Sequence, residues 1–76
     1  MQASDLAFKH LGMRFRSLIY PNKNKTARPV VTQHAGMWLR VPREWTLGQL
    51  AWWSNGNIVV NGGEFYLYPE TEVEQV

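Results

Sequence analysis

The sequence predicts an α+β fold dominated by β structure. A short N-terminal helix leads into a small antiparallel sheet or barrel of about five strands built from hairpins, with a short helix at 46–53. Three observations lead there. Short β-branched and aromatic runs, such as "NIVV" and "EFYLY", alternate in polarity as half-buried strands do. Turns rich in glycine and asparagine separate them, above all Asn61-Gly62-Gly63. Near the N-terminus, "SDLAFKHLG" carries both a start and a stop signal for a helix.

The elements follow in order. In residues 4–12, Ser4 suits the N-cap, Asp5 complements the positive end of the helix dipole, and His10 falls in the last turn. Gly12 is placed for the left-handed position just past the helix. Leu6, Phe8 and Leu11 share a face only loosely, and two isolated turns do not persist in water, so this helix depends on docking. "MRFRSLIY" (13–20) reads as a strand, with Met13, Phe15, Ser17 and Ile19 on one face and Arg14, Arg16, Leu18 and Tyr20 on the other. Pro21 ends it, and the polar, basic, proline-bounded "PNKNKTARP" (21–29) is an exposed loop. "VVT" (30–32) and "MWLRV" (37–41) form a hairpin around "QHAG", with Gly36 available for positive φ and Pro42 closing the second strand.

Residues 43–56 admit two readings. Thr46 with Gln49 makes a capping-box pattern and Asn55-Gly56 a helix stop, which favours a helical turn or two at 46–53. The rival is a strand "LAWWS" turned by Asn55-Gly56 into "NIVV", favoured by Gly48 and the tryptophans. The helical reading is preferred. "NIVV" and "EFYLY" then pair, with Phe65 and Leu67 facing one way and Glu64, Tyr66 and Tyr68 the other. The acidic tail "ETEVEQV" (70–76) is expected to fray.

Seventy-six residues make a single small domain. A chain of this size buries only roughly 60–65 % of the surface its unfolded form exposes. Without cysteine it has neither disulfides nor thiolate metal sites, so a dense aromatic core or oligomerisation must support it. The N-terminus lacks the basic and apolar regions of a signal peptide, and no apolar run is long enough to span a bilayer. A soluble, cytoplasmic protein without membrane contact is expected.

Charge is distributed unevenly. All eight basic residues precede Glu44 and share that stretch with one acid, Asp5, whereas the other five acids lie from Glu44 onward. The halves therefore carry +7 and −5. Such asymmetry points to nucleic-acid contact or complementary self-association, unless the halves interleave in space into an ordinary mixed surface.

Catalytic chemistry is not evident. Nucleophilic catalysis needs a nucleophile beside an oriented base, and the only imidazoles, His10 and His34, stand alone at a helix end and in a turn. Both read as surface residues, and neither belongs to a metal-ligand cluster. No glycine-rich phosphate cradle precedes a helix. No enzyme activity, cofactor, metal or small-molecule substrate is expected. A basic patch for nucleic acid is the more concrete candidate. Arg14 and Arg16 share a strand face, Lys23, Lys25 and Arg28 lie in the loop beyond, and Arg40 and Arg43 close the basic half. Tyr20 lies on the arginine face, where it could stack on an unpaired base. Four tryptophans exceed what one small core needs, and the adjacent pair Trp52-Trp53 is hard to bury whole. Trp38, Trp52, Trp53, Tyr66 and Tyr68 are therefore candidates for a protein interface.

From Gly36 onward, "GMWLRVPREW", the Leu47-Gly48 step and the terminal "NIVVNGGEFYLYP" follow an order that resembles the AbrB/MazE family of small DNA-binding folds. The resemblance covers residues 36–69. It implies a homodimer with interleaved hairpins in one barrel, with DNA contacts carried by Arg40, Arg43 and Arg28. The chain departs from the family pattern in its short segment between Pro42 and Gly48, in Met37 and Trp38 after the glycine, and in the long stretch preceding the motif. Two functions are expected. One is an antitoxin-like DNA-binding regulator of transcription acting through the basic patch in residues 14–43. The other is a protein-binding module or inhibitor of the phage or plasmid type, docking through its aromatic cluster and acidic C-terminal half.

Overall fold

A computed structural model describes residues 1–18 and 31–76. The fold is β-dominated, with eight short strands in three small antiparallel sheets among these residues. The strands are β1 (Arg14–Ser17), β2 (Val31–His34), β3 (Met37–Arg40), β4 (Glu44–Thr46), β5 (Leu50–Trp52), β6 (Ile58–Val60), β7 (Phe65–Leu67) and β8 (Val73–Gln75). The sheets run β4-β1-β8, β2-β3 and β5-β6-β7. Alternation places Phe15 and Ser17 inward on β1, Ile58 and Val60 on β6, and Phe65 and Leu67 on β7. With Leu6, Leu47, Leu50 and Val73 these residues fill the core, and Trp45 closes it by stacking on Phe15 and meeting the Phe65 ring edge-on. Among the described residues no helix is long and apolar enough to cross a membrane. The loop at 21–29 lies outside the described residues, as do Ile19 and Tyr20.

The N-terminal helix expected at 4–12 does not form. Two single turns of 3-10 helix, Ala3–Asp5 and Phe8–His10, stand in its place. The far end of the chain holds this segment by backbone hydrogen bonds. Ala3 N–H reaches the Thr71 carbonyl at 2.7 Å, and Ser4 N–H reaches Pro69 at 2.9 Å. Leu6 turns extended and buries itself, which leaves Phe8 outside. Gly12 does adopt positive φ, at +87°.

The helix preferred at 46–53 is also absent, and the strand reading holds: β5 turns through Ser54-Asn55-Gly56 into β6. The cause is a side chain distant in sequence. Asn61, held at φ +53°, accepts from the amides of Gly48 (2.6 Å) and Gln49 (3.0 Å) through Oδ1. Its Nδ2 donates to the Thr46 carbonyl at 2.9 Å. The amides that a Thr46 cap would have satisfied are thus bound by the next hairpin.

The acidic tail is not frayed in its last part. β8 pairs with β1, placing Glu74 opposite Arg16 and burying Val73 opposite Ser17. Val73 also exchanges backbone hydrogen bonds with Met1, so the chain's beginning and end lie side by side. The hairpin around "QHAG" is longer than expected. Its turn is only Ala35-Gly36, both at positive φ, and β2 runs on through His34.

Candidate functional site

The β1 face carries arginines and carboxylates in alternation across three strands. Arg16 lies opposite Glu44 of β4 and Glu74 of β8. Its two terminal nitrogens reach them at 3.1 and 3.2 Å. Arg14 lies 3.5 Å from the second Glu44 oxygen and donates to Thr46 Oγ1. The hydrogen bond from Arg16 is the main reason the Glu44 carboxyl is held below its usual range, and Glu44 in turn raises Arg16. The basic and acidic halves of the sequence therefore interleave here. Arg14 and Arg16 do not stand as a bare cationic patch. Lys23, Lys25 and Arg28 lie outside the described residues. Arg40 and Arg43 are exposed, and neither forms an ion pair with another described residue.

The aromatic candidates separate into two exposed faces. Trp45 alone of the four tryptophans is buried, whereas Trp52 and Trp53 are each 50 % exposed and Trp38 68 %. Trp52 packs edge-on against Phe8, itself 63 % exposed, with ring centroids 5.8 Å apart. Trp53 meets the His34 ring edge-on at 5.0 Å, and His34 pairs across its hairpin with Met37, which is 58 % exposed. Phe8, Trp52, Trp53 and Met37 are thus linked in a loose apolar strip, Phe8 to Trp52 by ring contact, Trp52 to Trp53 by sequence, and Trp53 to Met37 only through His34.

The second face is the outer side of the β2-β3 hairpin. Register and alternation put Gln33 beside Trp38 and Val31 beside Arg40, all pointing outward, while Thr32 and His34 point in. The two tyrosines expected at an interface are engaged within the chain. Tyr66 stacks on His34 at 3.7 Å, its carbonyl accepts from the Thr32 hydroxyl, and the Tyr68 hydroxyl accepts from Gln33 N–H at 2.7 Å. They anchor the two-stranded hairpin to β7.

His34, expected at the surface, is buried between Tyr66 and Trp53, with the Asn57 carboxamide nitrogen 3.4 Å from its Nδ1. Its burial follows from the two-residue turn, which makes position 34 an inward strand position. Phe8 and Met37 were not singled out in the sequence. A usable signal did exist: the nineteen residues 45–63 around the Trp pair contain no charged side chain. For Phe8 there was none, because a helical reading places it inward.

The fold and its surfaces define a small β-dominated domain of three antiparallel sheets with two outward aromatic faces and a charge-balanced third. No protein-family model matches the chain, and no curated protein or solved structure matches it either.

Proposed function

We propose that this protein is a non-enzymatic binding module of the cytoplasm that docks on another protein by laying the Phe8–Trp52–Trp53–Met37 strip into an apolar groove. The observation that carries the reading is the pair Trp52-Trp53, half exposed while the core closes around Trp45 without them. Leaving two indoles in water forgoes the burial that a chain this small most needs. Tryptophan is also the side chain most enriched among interface residues that dominate affinity. The partner's groove is apolar rather than acidic, because residues 45–63 have no charge with which to form ion pairs. A regulator gripping duplex DNA through β1 finds less support, since Arg14 and Arg16 already hold Glu44 and Glu74.

Affinity capture on the full chain tests this. One protein should be retained by the wild type and by Arg14→Gln/Arg16→Gln, and lost with Trp52→Ser/Trp53→Ser. Both tryptophans are exposed enough for the double variant to keep its circular dichroism. Capture that ignores the double substitution overturns the reading. So does a wild-type dimer, seen by light scattering, that the same substitution dissolves, since the strip would then belong to a second copy of this chain.

A further inference from the structure

We infer that the outward face of the β2-β3 hairpin is a separate binding site for single-stranded nucleic acid, with Trp38 as the base-stacking platform and Arg40 beside it as a phosphate contact. The site is distinct from the apolar strip and does not rest on it. Trp38 is the most exposed large apolar residue among those described, and unlike Trp52 and Trp53 it is in no ring-to-ring contact with another described residue. It lies on the outward side of a two-stranded sheet, opposite Gln33. Every base has a π-face, so such a platform takes unpaired bases without sequence preference. Bases stacked inside a duplex present no face to it.

Charge selects the occupant. Residues 31–43 carry Arg40 and Arg43 and no carboxylate, and residues 19–30 leading into the hairpin contain no Asp or Glu either. Arg40 and Trp38 are two positions apart on one strand and therefore project to the same side. Every ion-paired arginine among the described residues belongs to β1. Arg40, in no ion pair with a described residue, thus sits on the same side as the exposed indole, and a backbone of phosphates with unstacked bases complements both. An acidic peptide would match the charge but give Trp38 no flat partner.

The experiment is fluorescence anisotropy of a labelled oligothymidylate titrated with the full chain at low and moderate salt. The wild type should bind, and duplex DNA of the same length should compete poorly. Trp38→Ala should weaken binding roughly tenfold or more, and Trp38→Phe should retain most of it. Arg40→Gln should weaken binding and flatten the log–log salt slope by about 0.7. Trp52→Ser/Trp53→Ser should bind as the wild type does, which separates this site from the docking strip. Since Trp38 and Arg40 are exposed, their variants should keep the wild-type urea midpoint. The inference is overturned by no binding at low salt, by a Trp38→Ala variant that binds normally, by equal loss with Trp52→Ser/Trp53→Ser, or by displacement with polyglutamate as readily as with unlabelled oligothymidylate.

Discussion

Trp45 and Ser17 show how single residues specify this core. An indole brings its N–H inside with it, and a buried donor without a partner costs more than a hydrogen bond contributes. On β1 the inward position next to Phe15 is a serine, whose Oγ lies 2.9 Å from Trp45 Nε1 in a buried setting. This explains a polar residue where alternation alone would call for valine or isoleucine. Replacing Ser17 by Ala leaves the shape nearly unchanged and strands the indole donor. It should lower stability by about 1–3 kcal/mol, read as a lower urea midpoint at constant slope. In a Trp45→Phe background the same substitution should cost much less, because the donor has gone. If Ser17→Ala is equally costly in both backgrounds, the serine contributes by something other than this bond.

At the scale of elements, the strands legible in the sequence were those whose signals are local. "NIVV" and "EFYLY" meet across Asn61-Gly62-Gly63, and the β1 pattern around Phe15 put the right residues inside, because a period of two needs no information from elsewhere. What misled was wherever a distant group decides. Ser4 looked like a helix cap, yet its amide and that of Ala3 are bound by residues near the other terminus. The tail looked frayed, yet Arg16 gives Glu74 a partner and the core gives Val73 a place. That Trp52 and Trp53 could not both be buried was legible from their adjacency, whereas which way each faces was not, and both are half exposed. Segment 46–49 is the clearest case, because Asn61 replaces a cap that Thr46 could have supplied. Asn61→Ala removes the side-chain hydrogen bonds to Gly48, Gln49, Thr46 and Glu64 and puts alanine at positive φ, and should cost about 2–4 kcal/mol. Asn61→Gly removes the same bonds while relieving φ, and should cost about 1 kcal/mol less. Equal losses in chemical denaturation would show that the backbone angle contributes nothing.

At the scale of the whole molecule, the separation of charge along the sequence becomes neutralisation in space on one face, that of the β4-β1-β8 sheet. β4 and β8 come from the acidic half and flank β1 from the basic half, so two arginines and two glutamates share one exposed face. Exposed pairs of this kind add little stability each and are screened by salt, but they make the fold responsive to pH. The Glu44 carboxyl is depressed in the folded state, first by the hydrogen bond from Arg16. A carboxyl whose folded value lies below its unfolded value stabilises the fold at pH above the unfolded value. That contribution is lost as pH falls through the folded value. Arg16→Gln removes the main cause of the depression. At low ionic strength the wild type should therefore exceed this variant in urea midpoint at neutral pH. The gap should close as the pH is lowered through the carboxylate range, and it should narrow at neutral pH when salt is added. A gap that persists with every carboxylate protonated would mean that Arg16 acts by packing its stem against the sheet rather than by charge, and the pairing across β4-β1-β8 would then owe little to its glutamates.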